Sequence, residues 1–229
     1  MTTAFVKFPR TPHLAWLGKH PPRDDKVLPR DEAIDLLTAT VLVEEKIDGA
    51  NIGISFDREA GLRAQSRGEY LKPGSHSQFA PLWTWLERHR EILEHHLGTN
   101  LVLFGEWCFA RHTVPYDRLP DWFLAFDVYN RYGQGFLGTS LRDQLVSNLG
   151  VFSVPQLACG RFSLTDLREL LGRKSQVGSA AMEGIYLRRD EGNWLKARAK
   201  LVRPDFVESI EQHWSRLPVK RNALWRRQH

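Results

Sequence analysis

The sequence predicts an α+β domain of antiparallel sheets with flanking helices. Three observations carry that expectation. Apolar residues recur at every second position in short runs bounded by turn residues, the mark of half-buried strands. The helical stretches are few and end at glycine. The strands fall in neighbouring groups and not in regular alternation with helices, which disfavours a doubly wound parallel sheet. The chain has 229 residues, 42% of them hydrophobic, with eight Trp and twelve Phe. That is enough apolar material for one domain with a large core and too aromatic for a disordered chain.

Taken in order, residues 11–31 are rich in Pro and charge and read as irregular, and roughly residues 1–40 form a lead-in. Val41–Ile47 reads as a strand closed by the turn residues Asp48-Gly49. Ile52, Ile54 and Phe56 then alternate with Gly53, Ser55 and Asp57, a half-buried strand, and Leu62–Arg67 continues the meander after a turn ending at Gly61. Ser77–Leu97 reads as one helix, with Leu82, Trp83, Leu86, Leu93 and Leu97 at helical spacing and Gly98 as its stop. Leu101–Trp107 and Trp122–Tyr129 read as strands. Ser140–Leu149 and Leu164–Leu171 read as short helices, the second behind the N-cap residue Ser163. Met182–Arg189 and Trp194–Val202 form a hairpin through Asp190-Glu191-Gly192-Asn193. Residues 207–229 form a short basic tail. Its segment Lys220–Arg227 reads more readily as a frayed end than as a track for a nucleic-acid backbone.

Composition narrows the function. No apolar run approaches the ~18 residues of a membrane span, and the first residues lack the apolar core of a signal peptide. Cys108 and Cys159 stand far apart, which excludes a disulfide framework or a Cys-based zinc site and fits a cytoplasmic protein. His89, His95 and His96 lack a carboxylate or Cys partner at ligand spacing and read as surface residues. The net charge is +5 with a pI near 9.4, which suits an anionic partner such as a nucleotide or nucleic acid.

The chemistry concentrates in Glu45-Lys46-Ile47-Asp48-Gly49-Ala50-Asn51, where a lysine ends a strand just before a tight turn. Other polar residues interrupt apolar strands where a plain core needs none: Arg67, Glu106 after Leu101–Gly105, Asp127 after Trp122–Phe126, and Glu183 before Ile185-Tyr186-Leu187. In the last strand Lys196, Arg198 and Lys200 alternate with apolar residues. Three cations on one strand face repel unless water or an anion covers them.

On these residues the sequence resembles the ATP-dependent RNA ligases of the covalent lysyl-nucleotidyltransferase superfamily, with the phage-type, nick-sealing branch nearest. Five ordered segments carry the resemblance: Glu45–Asn51, Gln65–Gly68, Phe104–Trp107 with Phe123–Tyr129, Met182–Arg188, and Lys196–Lys200. It implies a ligase-type nucleotidyltransferase (adenylyltransferase) fold, with ATP and Mg²⁺ or Mn²⁺ as cofactors. It also implies that Lys46 attacks the α-phosphorus of ATP and becomes lysyl-AMP. AMP then passes to a 5′-phosphate, and a 3′-hydroxyl displaces it. By the same resemblance Glu45 and Ile47 meet the adenine edge, and Phe126 stacks on the base, although a plain core phenylalanine explains that residue as well. Glu106 holds ribose hydroxyls, and Asn51 and Arg67 touch phosphates. Arg198 and Lys200, with Lys196 less central, face the phosphates, and Glu183 helps place the metal. Asp48 stands where that branch often has His and has no assigned role.

A lysine nucleophile must lose its proton, and the cations of the last strand are expected to favour that. The expected substrate is RNA, with a nick, an RNA–DNA hybrid or a single strand left open. The short stretch after Phe206 leads to the expectation of a minimal single-domain ligase or one that depends on an end-processing partner. A capping-type guanylyltransferase and a non-catalytic nucleic-acid-binding module of the same fold are the alternatives.

Overall fold

A computed structural model of the protein describes residues 3–20, 22, 26–209 and 219–225. Its helices are α1 (Arg30–Thr38), α2 (Ala80–Arg88), α3 (Arg90–Leu97), α4 (Thr139–Asn148), α5 (Leu164–Leu171) and α6 (Pro204–Ser209). Its strands are β1 (Val41–Lys46), β2 (Ala50–Asp57), β3 (Gly61–Gln65), β4 (Leu101–Trp107), β5 (Phe123–Asn130), β6 (Gly135–Phe136), β7 (Phe152–Ser153), β8 (Gln156–Gly160), β9 (Gly184–Glu191) and β10 (Trp194–Val202). They make two sheets. The first runs β10-β9-β1-β8 and the second β3-β2-β4-β5-β6, with β7 added to β5. The β7 pairing is parallel and the other strand pairs are antiparallel. The α+β expectation holds.

Each sheet buries one face under helices. Val41, Val43, Ile185, Leu187 and Leu201 of the first sheet pack against Leu36 of α1 and Leu167, Leu170 and Leu171 of α5. Ser163 accepts from the N–H of Asp166, whose carboxylate returns the bond to Ser163, a capping box that fixes where α5 begins. In the second sheet Ile52, Ile54, Leu103 and Phe123 pack against Leu82, Trp85, Leu86, Leu93 and Leu97 of α2 and α3. A third apolar layer, with Ile47, Tyr116, Leu124 and Val154, fills the space between.

The structure departs from the sequence reading in five places. The turn expected at Asp48-Gly49 forms, but it does not join neighbours of one sheet: β1 belongs to the first sheet and β2 to the second, so this turn is the joint between sheets. The helix expected over Ser77–Leu97 is a 3₁₀ turn (Ser77–Phe79) followed by α2 and α3. It breaks at His89, whose backbone (φ −105°, ψ 6°) leaves the helical range while its ring stacks 4.1 Å from that of Trp85. β2 is not half-buried, because Ser55 and Asp57 are as enclosed as Ile52 and Ile54. The cover is the N-terminal segment: Gln65 Nε2 donates to the Val6 carbonyl, Thr3 N–H to Asp57, and Phe8 packs on Phe104.

The lead-in is less irregular than its prolines suggested. It contains α1, and further along Lys200 N–H donates to the Pro12 carbonyl while Leu14 N–H donates to the Lys200 carbonyl, so this stretch runs along β10. The described residues 222–225 of the tail are docked as well. Ala223 N–H donates to the Tyr116 carbonyl, Trp225 N–H to that of Leu119, and the Asn222 amide is buried. Arg226 and Arg227 lie outside the described residues. Among the described residues no helix is long and apolar enough to cross a membrane.

Candidate active site

Lys46 is the last residue of β1 and lies opposite Gly184. A Cβ at position 184 would come 2.6 Å from the Leu201 carbonyl oxygen, so the close packing of β9 on β10 requires glycine there. Glu183 immediately precedes β9, and its Oε1 forms an ion pair with Lys46 Nζ. From the second sheet, Glu106 on β4 and Asn51 on β2 sit opposite one another. Gly49, at the joint, keeps the chain close to Glu106: a Cβ there would fall 2.9 Å from Glu106 Cγ and 2.8 Å from the Trp107 carbonyl oxygen.

The cavity between the sheets measures about 170 Å³, over ten times the ~10–15 Å³ that one water needs. Glu45, Lys46, Ile47, Asn51, Arg67, Glu106, Phe126 and Lys200 all line it. The lysine is its floor: its side chain is 27% exposed, that of Glu183 only 5%. Arg67 lies past the end of β3, on a turn closed by Ser66 N–H donating to the Glu69 carbonyl, and is exposed at the cavity mouth. The carbonyl of Phe126 accepts from Arg142 Nη1 (2.9 Å) and Arg188 Nη1 (3.2 Å), which fixes the backbone that carries this ring.

Two expected residues are not brought to the cavity. Lys196 is the extra residue where the β10–β9 register shifts between Leu195 and Ala197. The bulge breaks the strand's alternation, and Lys196 pairs with Glu191 at 3.0 Å on the surface. Arg198 keeps the alternation, but its guanidinium reaches Asp127 (2.9 Å) and packs over the rings of Phe8 and Phe136. Of the three cations expected on one face, Lys200 alone lines the cavity.

The expectation of a cation-rich setting for Lys46 is also corrected. Burial by itself would lower its pKa, but Glu183, Glu106 and Asp48 outweigh it and hold the ammonium above the ordinary lysine range. The carboxyls respond in turn. Burial pushes Glu106 up to about 8, with Lys46 opposing and Glu183 and Asp48 adding. Burial likewise pushes Glu183 up to about 7, with Lys46 opposing. Three carboxyls crowd the Lys46 ammonium, with Lys200 acting on Glu183 as well, and burial makes Glu106 and Glu183 favour protons or a further cation.

Four features were not visible in the sequence. Phe8 and Thr11 of the lead-in line the cavity, as does Tyr186, whose hydroxyl lies 2.9 Å from that of Thr11. Asp48 gains a structural role: its Oδ2 accepts from Thr113 N–H (2.7 Å) and Val114 N–H (2.8 Å), and its own N–H donates to the Tyr116 hydroxyl (2.7 Å). Asn222 stands behind that loop. Its Oδ1 accepts from Tyr116 N–H (2.9 Å) and its Nδ2 donates to the Cys108 carbonyl (2.8 Å). The chain Asn222–Tyr116–Asp48 ends two residues from the lysine. Such contacts span 65 to 175 positions, and local patterning carries no signal of them.

The matches to known proteins agree with this geometry. A family model described as RNA ligase matches residues 39–202. No curated protein matches the sequence. Among solved structures the chain is similar to an RNA ligase of Naegleria gruberi bound to PPi, with a TM-score of 0.59 and 21% identity over 74% of this chain and 51% of that one. It is similar to two variants of the same ligase with ATP and Mn. One has a TM-score of 0.63 and 19% identity over 87% of this chain and 63% of that one. The other has 0.68 and 18% identity over 94% and 61%. The chain thus spans between half and two thirds of the length of these structures, and at such identities the likeness carries the fold. The family-model match takes in most of the sequence, from the residues just before the Lys46 strand to the end of the Lys200 strand, and on it the chain belongs to the RNA ligase family.

Proposed function

We propose that the protein is an ATP-dependent RNA ligase that joins 5′-phosphate and 3′-hydroxyl ends through a lysyl-AMP intermediate on Lys46. One observation carries the reading. Lys46 Nζ forms the floor of a cavity whose walls hold the groups a nucleotide needs. The Phe126 ring offers a stacking face for the base, beside Glu45 and Ile47. The Glu45 carboxylate is anchored by Gln176 N–H (2.9 Å) on Oε2, while its Oε1 is buried without a hydrogen-bond partner, an acceptor suited to an amino group on the base edge. Glu106 faces the ribose hydroxyls. Asn51, whose Oδ1 is likewise unpartnered, Arg67 and Lys200 face the phosphates.

The residues of the chain then divide the work of the first step. Lys46 must give up a proton before its nitrogen can attack phosphorus. Glu183 Oε1 is already in contact with Nζ, placed to take that proton as the nitrogen closes on phosphorus. Lys200 and Arg67 offset charge on the phosphates and on the leaving pyrophosphate. Glu183 Oε2 is buried without a hydrogen-bond partner among the described residues, so Glu183 fits the role of holding Mg²⁺ or Mn²⁺. When bound, such an ion supplies positive charge toward the phosphate oxygens.

The test is nucleotide labelling followed by a ligation panel. With Mg²⁺ and ATP labelled at the α-phosphate, wild type should form an acid-labile adduct that Lys46→Ala does not. Labelling by GTP instead would point to capping-type chemistry, and no labelling by any nucleotide would sink the reading. Nicked RNA, nicked DNA, RNA–DNA hybrids and single strands then identify the substrate.

A further inference from the structure

A second concavity lies on the far side of the N-terminal segment from the nucleotide cavity. It is an open groove of about 1070 Å³ between residues 3–9 and the β5–β6 turn. Lys7, Arg58 and Arg131 line it, together with the rings of Phe5, Tyr129 and Tyr132, and no carboxylate lines it. Neither Lys7 nor Arg58 has a carboxylate partner among the described residues. Arg131 donates to the Ala4 carbonyl and likewise meets no acid. Unpaired cations and aromatic faces in one groove match what an unpaired polynucleotide strand requires: charge to follow the phosphates and π-faces for the bases. A double helix hides its base faces and would use only the cations.

Tyr132 decides between these uses. It is 81% exposed, yet it sits on a rigid turn. Its N–H donates to Asn100 Oδ1 (2.9 Å), the next N–H donates to Asn130 Oδ1 (2.8 Å), and the Trp194 ring packs so closely that a Cβ at Gly133 would fall 2.1 Å from it. Gln134 adopts φ +50° to complete the turn. A large apolar ring held toward water on a fixed turn contributes nothing to the core. The groove also adjoins the reaction site, since Phe136 lines it and packs 5.5 Å from Phe8, which walls the nucleotide cavity.

We infer that this groove binds an unpaired RNA strand leading away from the end that the Lys46 site acts on, with Tyr132 stacking on a base and Lys7 and Arg58 on phosphates. The inference rests on the ligase reading of the Lys46 site for its choice of RNA.

The experiment is fluorescence anisotropy of the full chain with a labelled RNA single strand and a blunt RNA duplex over a salt series. Adenylylation by ATP is measured on the same preparations. Tyr132→Ala should weaken single-strand binding about tenfold, and Tyr132→Phe should restore it. Lys7→Ala with Arg58→Ala should flatten the slope of log affinity against log salt by about 0.7 for each lost contact. Adenylylation should stay at wild-type level in all of them. Single-strand affinity and salt slope unchanged in both sets would overturn the inference, and so would an equal loss on the duplex. Absence of adenylylation in wild type would overturn the ligase reading instead, while the binding data would still judge the groove.

Discussion

Around Asp127 each carboxylate oxygen meets a cation, whereas around Lys46 the carboxyls outnumber their partners. Asp127 is fully enclosed, and each of its oxygens receives an arginine: Oδ1 from Arg188, Oδ2 from Arg198 at 2.9 Å. Arg188 donates further to the Phe126 and Leu137 carbonyls. This cluster joins β9 and β10 of the first sheet to β5 of the second, and a carboxylate held by an arginine on each oxygen keeps one arrangement. At the Lys46 cluster, which also bridges the sheets, three carboxyls crowd one ammonium. An oxygen of Glu183 has no partner, and Glu106 and Glu183 hold their protons to about 8 and 7. The difference separates charges that fix a shape from charges arranged to exchange a proton and accept a ligand.

Four substitutions would break or sharpen this contrast. The largest effect belongs to Lys46→Ala, which should abolish the adenylyl adduct, a loss of at least about 10⁴-fold. The fold should survive, because the carboxyls left behind can keep their protons. Next is Asp127→Ala, which strands two arginines between the sheets. It should cost about 3–5 kcal/mol of stability, read from urea denaturation, and a cost below 1 kcal/mol would deny the cluster its structural role. Asn222→Ala removes the buried clamp on Tyr116 and should cost about 1–3 kcal/mol. It should also slow adenylylation, since the clamp ends at Asp48. Unchanged adenylylation with lowered stability would separate the tail from the site.

The fourth effect is a dependence on pH. Glu106 keeps its proton in the folded chain up to about 8 but releases it near the ordinary ~4.3 when unfolded. The folded state therefore binds more protons in that window, and stability falls as pH rises through it. Glu106→Gln should raise Tm relative to wild type more at pH 8 than at pH 5. An equal change at both would mean that Glu106 titrates normally.

The fold class was legible because short apolar runs and helix caps are local signals, as at β4 and at α5 with its Ser163 cap. Lys46, Glu106 and Glu183 stood out because each is a charge at the end or in the middle of an apolar strand, and the structure brings the three together. Lys196 misled because a one-residue bulge moves a side chain off its face without altering the alternation of residue types. Thr11 was hidden in a stretch whose prolines suggested irregularity, yet the edge of β10 organises that stretch, and Phe8 stood in the unassigned residues before it. The cation-rich setting expected for Lys46 failed for a related reason. Three nearly adjacent cations are conspicuous in a sequence, while three carboxyls drawn from Asp48, Glu106 and Glu183 are not.

Peptide mapping by mass spectrometry, after incubation with ATP and Mg²⁺ and under conditions that preserve phosphoramidates, tests the proposed chemistry most directly. The account predicts one adenylyl group, carried on the peptide containing residue 46 and located on its lysine side chain. An adenylyl group on another residue, or joined RNA ends with residue 46 never modified, would contradict it.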